Sequence, residues 1–149
     1  QIIYKTLKNK YPNLVLLDGD ELRNLYDKNL GYDLESRRQN MLRYIKLVKW
    51  LSKQKICTIG AINGGIESDR ALLRKKIKNY KEIYLYSSRE ERIRRDKKNL
   101  YTKAMKGEIK NVLDVDIPFE DPINCDLTIN TENQKPETIA SKLISENQL

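Results

Sequence analysis

Asp18 and Asp20 stand two residues apart, directly after the apolar run at 14–17, and arginines follow at 23, 37 and 38. The chain contains no histidine, so the commonest general base and metal ligand are missing. Acid–base chemistry must therefore fall to carboxylates, lysines or tyrosines. Arg23 lies three residues past Asp20, so on a helix it returns to the same face, near the strand end. Asp18-Gly19-Asp20 also reads as a plain turn and N-cap for a helix from Glu21, and the residue types alone leave both readings open. A second candidate is "GAINGG" at 60–65, where Gly60 and Gly65 have the spacing of a phosphate loop. The next residues are Ile66 and Glu67, where such a loop needs Lys and Ser or Thr. A flexible strand-to-helix turn fits better. A third is "YSSREERIRRD" at 86–96, which follows an apolar strand.

The elements that must position these residues alternate. Residues 1–10 have helical spacing, and 14–17 form a short apolar strand. Residues 34–53 read as a long amphipathic helix with Met41, Ile45, Val48 and either Leu51 or Leu47 on one face. Strands are expected at 56–62, 82–86 and 127–130, and a helix at 68–79. Ser87 or Ser88 caps the helix that follows, with Glu90 and Glu91 in its first turn. Residues 98–122, rich in Lys, Asp, Gly and Pro, look long and mobile, and Pro136 opens a terminal helix. Short apolar strands separated by helices indicate an α/β fold with a parallel sheet, in which ligands sit beyond the carboxyl ends of the strands.

At 149 residues the chain fits one domain, which can bury about 70% of its unfolded surface. Cys57 and Cys125 make no metal or disulfide pattern. No signal peptide and no apolar run of membrane length are visible, so the chain is read as cytoplasmic with no membrane partner. The net charge of +8 suits an anionic partner, but 34% charged residues of both signs is also an ordinary solvated surface.

Taken in order, "LLDGDELR", "LGYDLESRRQN", "RRDKKNLYTKAMKGEIKNV" and "DIPFEDP" resemble the adenylylsulfate kinases. The resemblance runs from about residue 14 to the last helix. It implies a P-loop kinase-type three-layer fold, a single nucleotide-kinase domain over 1–149, and a lid-like segment at about 92–122. It also implies transfer of the γ-phosphate of ATP, with Mg²⁺, to the ribose 3′-hydroxyl of a nucleotide bearing a 5′ mixed anhydride. By this resemblance Asp18 is the catalytic carboxylate beside the acceptor hydroxyl. Asp20, Arg23, Tyr32, Arg37, Asn40 and Lys110 form the acceptor site: Arg23 and Arg37 grip the anionic 5′ group, and Tyr32 stacks on the base. Arg92 and Arg95 begin the lid and reach ATP. The family opens with a strand and a Gly-rich loop ending Gly-Lys-Ser/Thr, and Gln1 falls inside the helix that follows. The first strand and P-loop are thus expected to lie outside these residues, which should bind ATP poorly alone. A homodimer is left open.

The departures fall on the acceptor side. Gly64 and Glu67 replace a family serine and arginine, Leu42 replaces one of an arginine pair, and Val112 replaces a second stacking phenylalanine. Losing a ring removes about 1–3 kcal/mol of stacking per base, and Glu67 is expected to bring negative charge to the pocket. This pattern resembles the family's cytidine diphosphoramidate kinases of bacterial capsule phosphoramidate synthesis. The other readings are an adenylyl-sulfate kinase of sulfate assimilation and a non-catalytic basic nucleic-acid-binding domain. Against the last, the tyrosines form no paired stacking motif on a strand, so the expected partner is a small nucleotide and not a nucleic acid.

Overall fold

The computed structural model describes residues 1–26 and 30–146. Helix α1 (Ile2–Lys8) leads to strand β1 (Leu14–Asp18), the short helix α2 (Gly19–Arg23) and the long helix α3 (Leu34–Lys53). Strand β2 (Cys57–Ala61), helix α4 (Glu67–Lys76), strand β3 (Ile83–Tyr86) and helix α5 (Arg89–Arg94) follow. Helix α6 (Leu100–Met105), strand β4 (Leu127–Asn130) and helix α7 (Pro136–Ser145) complete the order. The class is α/β with parallel strands, as expected. The sheet is divided: β1 pairs with β2 from Leu14–Cys57 to Asp18–Ala61, and β3 pairs with β4 from Ile83–Leu127 to Tyr86–Asn130. Among the described residues no strand bonds β2 to β3.

Helix α3 carries the core. Asp33 caps it, accepting from the Ser36 amide at 2.9 Å and the Ser36 hydroxyl at 2.7 Å. Met41, Ile45, Val48 and Leu51 then recur at helical spacing and are all buried. Val48 and Leu51 pack on Leu17 of β1, while Met41 and Ile45 pack on Leu73 of α4. Tyr44 and Ile77 touch both groups and join them. Each such side chain contributes about 1.5–3 kcal/mol when fully buried. Helix α7 starts with Pro136 in its first turn and buries Ala140 and Leu143, and α1 packs between α7 and β1.

A charged cluster joins the two strand pairs. Asp69 and Arg70 of α4 are each 3% exposed, and Glu82, just before β3, is 7% exposed. Arg70 pairs with Glu67 at 2.7 Å and with Glu82 at 3.6 Å. Arg74 pairs with the same two acids, meeting Glu82 at 2.6 Å. Glu82 in turn receives the Tyr80 hydroxyl, and its amide donates to Asp126 ahead of β4 at 2.6 Å. On the other side Arg38 of α3 pairs with Asp69 at 3.0 Å. Burial, the largest influence, pushes the Asp69 carboxyl up, and Arg38 pulls it back down.

Two sequence expectations need correction. Residues 60–65 are not a loose turn. Arg70 donates to the Gly64 carbonyl, the Glu120 amide donates to the Gly65 carbonyl at 2.9 Å, and the Glu67 amide donates to Glu120. Nor is 98–122 simply a mobile stretch. It contains α6, it buries Leu113 and Ile117, and Phe119 stacks on Tyr84 with ring centroids 6.1 Å apart. Polar composition concealed this order because the acids are spent inside the segment. Asp116 accepts from the Asn111 and Val112 amides, the latter at 2.6 Å, so the loop folds back on its own carboxylate.

The glycines at 60 and 65 serve packing. A Cβ at Gly60 would collide with the Tyr44 hydroxyl, and one at Gly65 would lie 2.9 Å from Leu113 and 3.1 Å from Phe119. Gly60→Ala is therefore expected to cost about 1–3 kcal/mol in denaturant unfolding. In a Tyr44→Phe background the same change should cost less than half as much. An equal loss in both backgrounds would show that the hydroxyl is not what excludes the methyl group.

Candidate active site

The carboxyl end of β1 forms the first wall of the site. Asp18 takes an extended conformation and caps α2, its Oδ1 accepting from the Asp20 amide at 2.9 Å. The cap reading was therefore sound locally, with the helix beginning at Gly19 and not at Glu21. Capping occupies one oxygen of Asp18. It fixes the carboxylate at the mouth of the strand and leaves chemistry at that position open. Gly19 lies against the end of β2, where a Cβ would sit 3.4 Å from the Ala61 carbonyl. The Asp20 side chain is 80% exposed.

Beyond α2 the structure brings together four residues singled out in the sequence. Arg23 donates to the Leu30 and Gly31 carbonyls, both at 3.1 Å, and its guanidinium lies 4.5 Å from the centre of the Tyr32 ring. With its amide oriented to satisfy hydrogen bonding, Asn40 accepts from both terminal nitrogens of Arg23, at 3.0 and 2.6 Å. Arg37 donates from Nε to the Tyr32 carbonyl at 2.7 Å and from Nη2 to the Asn111 carbonyl at 2.8 Å. Its guanidinium lies 5.7 Å from the same ring. Two like charges thus share one tyrosine, and carbonyl dipoles take up much of their hydrogen bonding. Desolvation lowers the Arg37 pKa most, with the neighbouring Arg23 charge next. A bound anion would relieve that repulsion.

The remaining predicted residues sit further along the chain. Lys110 is exposed and immediately precedes Asn111, whose carbonyl Arg37 holds. Arg92 donates to the Ser87 carbonyl and pairs with Asp114 at 2.7 Å. Arg95 pairs with Glu91 at 2.6 Å and donates to the Thr131 hydroxyl and carbonyl at 3.1 and 3.0 Å. Arg92 and Arg95 thus line the ends of β3 and β4, tied to internal partners, apart from the Tyr32 group. Glu67 corrects the expected pocket charge: its carboxylate is taken by Arg70 and Arg74, so it brings no free negative charge to the acceptor side.

Sequence reasoning passed over Asp33, Lys98, Asp114 and Asp116. Asp33 was recoverable as an N-cap directly before a helical run. Asp116 was not, because its partners are backbone amides in a loop with left-handed Asn111 and Asp114. Lys98 lies 3.9 Å from Asp20, across 78 residues of chain that no local pattern connects.

Glu91 gathers Arg94 and Arg95, and the Arg94 hydrogen bonds chiefly bring its pKa to about 2. The folded value lies below the ordinary one. The ion pair therefore stabilises fully above the usual carboxylate range and is lost as pH falls toward about 2. In a carboxyl-carbon NMR titration Glu91 should have the lowest midpoint among the glutamates, and Arg94→Ala should raise it. A midpoint near 4.5 would dissolve the pair.

A family model described as adenylylsulphate kinase matches residues 1–130. The cytidine diphosphoramidate kinase of Campylobacter jejuni is 40% identical over 148 residues, covering 96% of this chain and 86% of that protein. A probable adenylyl-sulfate kinase of Pyrococcus abyssi is 31% identical over 140 residues, covering 94% and 80%. Among solved structures, the Mycobacterium tuberculosis APS kinase CysC in complex with AMPPNP and APS superposes with a TM-score of 0.88 at 25% identity. That match covers 99% of this chain and 87% of the other.

Proposed function

The chain belongs to the adenylylsulphate kinase family, and from that premise we propose that this ATP-dependent kinase phosphorylates the ribose 3′-hydroxyl of cytidine diphosphoramidate. Asp18 is the base or metal-positioning carboxylate. Arg23, Arg37 and Asn40 grip the acceptor's 5′ anhydride, and Tyr32 stacks on its base, with Asp20 and Lys110 completing that side. Arg92 and Arg95 contact ATP. Mg²⁺ enters with ATP, and Asp18 and Asp20 are the carboxylates at this strand end suited to face it. Phosphoryl transfer asks mainly for alignment and charge neutralisation, so one carboxylate and a cationic frame suffice.

The observation that carries the site reading is the pair of guanidiniums on Tyr32, joined by Asn40, with Arg23 closing the short helix that Asp18 caps. For the acceptor, the support is Val112 in place of a second ring, together with 40% identity to the Campylobacter enzyme. A single tyrosine gives less grip on a large purine than a two-ring sandwich does. With Glu67 neutralised by two arginines, acceptor choice rests on stacking and not on pocket charge.

The test is competition. The natural protein is given ATP, Mg²⁺ and equal cytidine diphosphoramidate and adenylyl sulfate, followed by phosphorus NMR. Cytidine diphosphoramidate should be consumed with the higher kcat/KM, and the new phosphate should be on the 3′-oxygen. Preferential use of adenylyl sulfate would return the protein to sulfate assimilation.

Role assignments divide by kinetic parameter. Asp18→Asn should lower kcat by about 10²-fold or more, as for loss of a positioned base. Arg37→Ala should chiefly raise the acceptor KM, by about ten- to a hundredfold, since a charge-assisted contact contributes about 1.5–3 kcal/mol. Near-normal turnover in the first variant, or equal loss for ATP and acceptor in the second, removes that residue from its role.

A further inference from the structure

The net charge of +8 is not spread evenly along the chain. From Ser36 to Lys81 the only carboxylates are Glu67 and Asp69, and arginines of the same run consume both. Arg70 and Arg74 hold Glu67, and Arg38 holds Asp69. In the rest of the chain acids outnumber bases. The positive excess therefore belongs to this run, and the fold sets several of its lysines on one surface.

On α3, Lys46, Lys49, Trp50 and Lys53 recur at spacings of three and four, so they share the face turned away from Val48 and Leu51. The three lysines are exposed, and Trp50 among them is 58% exposed. Helix α4 lies alongside, its Leu73 packed with Met41 and Ile45, and Lys75 and Lys76 are exposed at its end. Among the described residues no hydrogen bond or ion pair engages any of these five ammonium groups. Like charges at such spacings on a helix repel one another. The surface therefore gives the fold no stability of its own and gains when negative charge is laid against it.

We propose that this face docks on an anionic phospholipid bilayer, with the lysines over the headgroup phosphates and Trp50 at the boundary with the acyl chains. A second copy of the chain would set like charges against each other across a twofold axis. A protein partner fits the composition poorly, because lysine is depleted at protein interfaces and arginine enriched. Single-stranded nucleic acid is gripped by successive stacking rings, and one tryptophan supplies no series. Mobile headgroups, by contrast, gather around flexible lysines, and tryptophan favours the membrane–water boundary. Such a contact needs no spanning segment, and no described helix is long and apolar enough to cross a membrane. The sequence expectation of no membrane partner rested on that absence, which leaves a surface contact open. Arg37 and Asn40 stand on the first half of α3 and the lysines on the second, so the docking face is separate from the candidate site.

The test floats the natural protein with vesicles of phosphatidylcholine containing phosphatidylglycerol, and with phosphatidylcholine alone. Binding is expected to the first and not to the second, and should weaken as salt is raised. Tryptophan emission should shift to the blue on binding, and the shift should vanish in Trp50→Phe. Lys46→Gln, Lys49→Gln and Lys53→Gln together should weaken partitioning by about a hundredfold, and each alone by about fivefold, as for lysines at an anionic membrane surface. Each single variant should keep the parent's kcat in solution, which shows that it is folded. No binding to the phosphatidylglycerol vesicles overturns the proposal. So does binding that the lysine variants leave unchanged, binding with no Trp50 shift, or tighter binding to single-stranded DNA than to the vesicles at the same salt. Partitioning is read without any acceptor, so failure of the cytidine reading leaves this result intact.

Discussion

Everything in this fold depends on the ion cluster of Arg70 and Arg74 with Glu67 and Glu82. No described strand bonds β2 to β3, so backbone hydrogen bonding does not unite the two strand pairs. The cluster reaches from the turn after β2, through α4, to the residues that open β3 and β4. Buried charges are costly to desolvate and hold only when fully partnered. Here each arginine meets two carboxylates and each of these carboxylates meets two arginines, while Arg70 Nη2 and Glu82 Oε1 are buried without a hydrogen bond. The cluster also consumes Glu67, so a residue that looked like pocket chemistry is architecture.

The candidate site works by a different economy of charge. Among the described residues Arg23 and Arg37 form no ion pair, although the Asp116 and Asp33 charges act on Arg37, and both are braced by carbonyls and by one aromatic ring. Carbonyl dipoles fix where the guanidiniums stand without cancelling their charge. Their mutual repulsion is retained in the protein and would be relieved by a bound anion. The cluster around α4 balances its own charges; the pair on Tyr32 has no ion-pair partner among the described residues.

Much of this was legible in the chain. The stripe of Met41, Ile45, Val48 and Leu51 gave α3 and its buried face because helical periodicity is local information. Asp-Gly-Asp at a strand end, then Arg23, Arg37 and Asn40, gave the candidate site. What stayed hidden depended on pairs distant in sequence. Asp116 looks like loop polarity until Asn111 and Val112 are seen donating to it. The order in 98–122 rests on Leu113 and Phe119 packing over Gly65, which no window of sequence contains. The Gly60–Gly65 spacing imitated a phosphate loop for an unrelated reason, the room that Tyr44 and Leu113 require.

The tether at Asn111 has an evolutionary side. Arg37 holds its carbonyl, Asp116 holds its amide and that of Val112, and Leu113 is buried just beyond. The backbone at 112 is thus fixed from three directions, none of which involves the side chain at 112. Position 112 is anchored through its backbone, and its side chain takes no part in the hydrogen bonds that hold the loop. On the acceptor reading proposed above, substitutions there change the grip on the base while these backbone anchors stay in place.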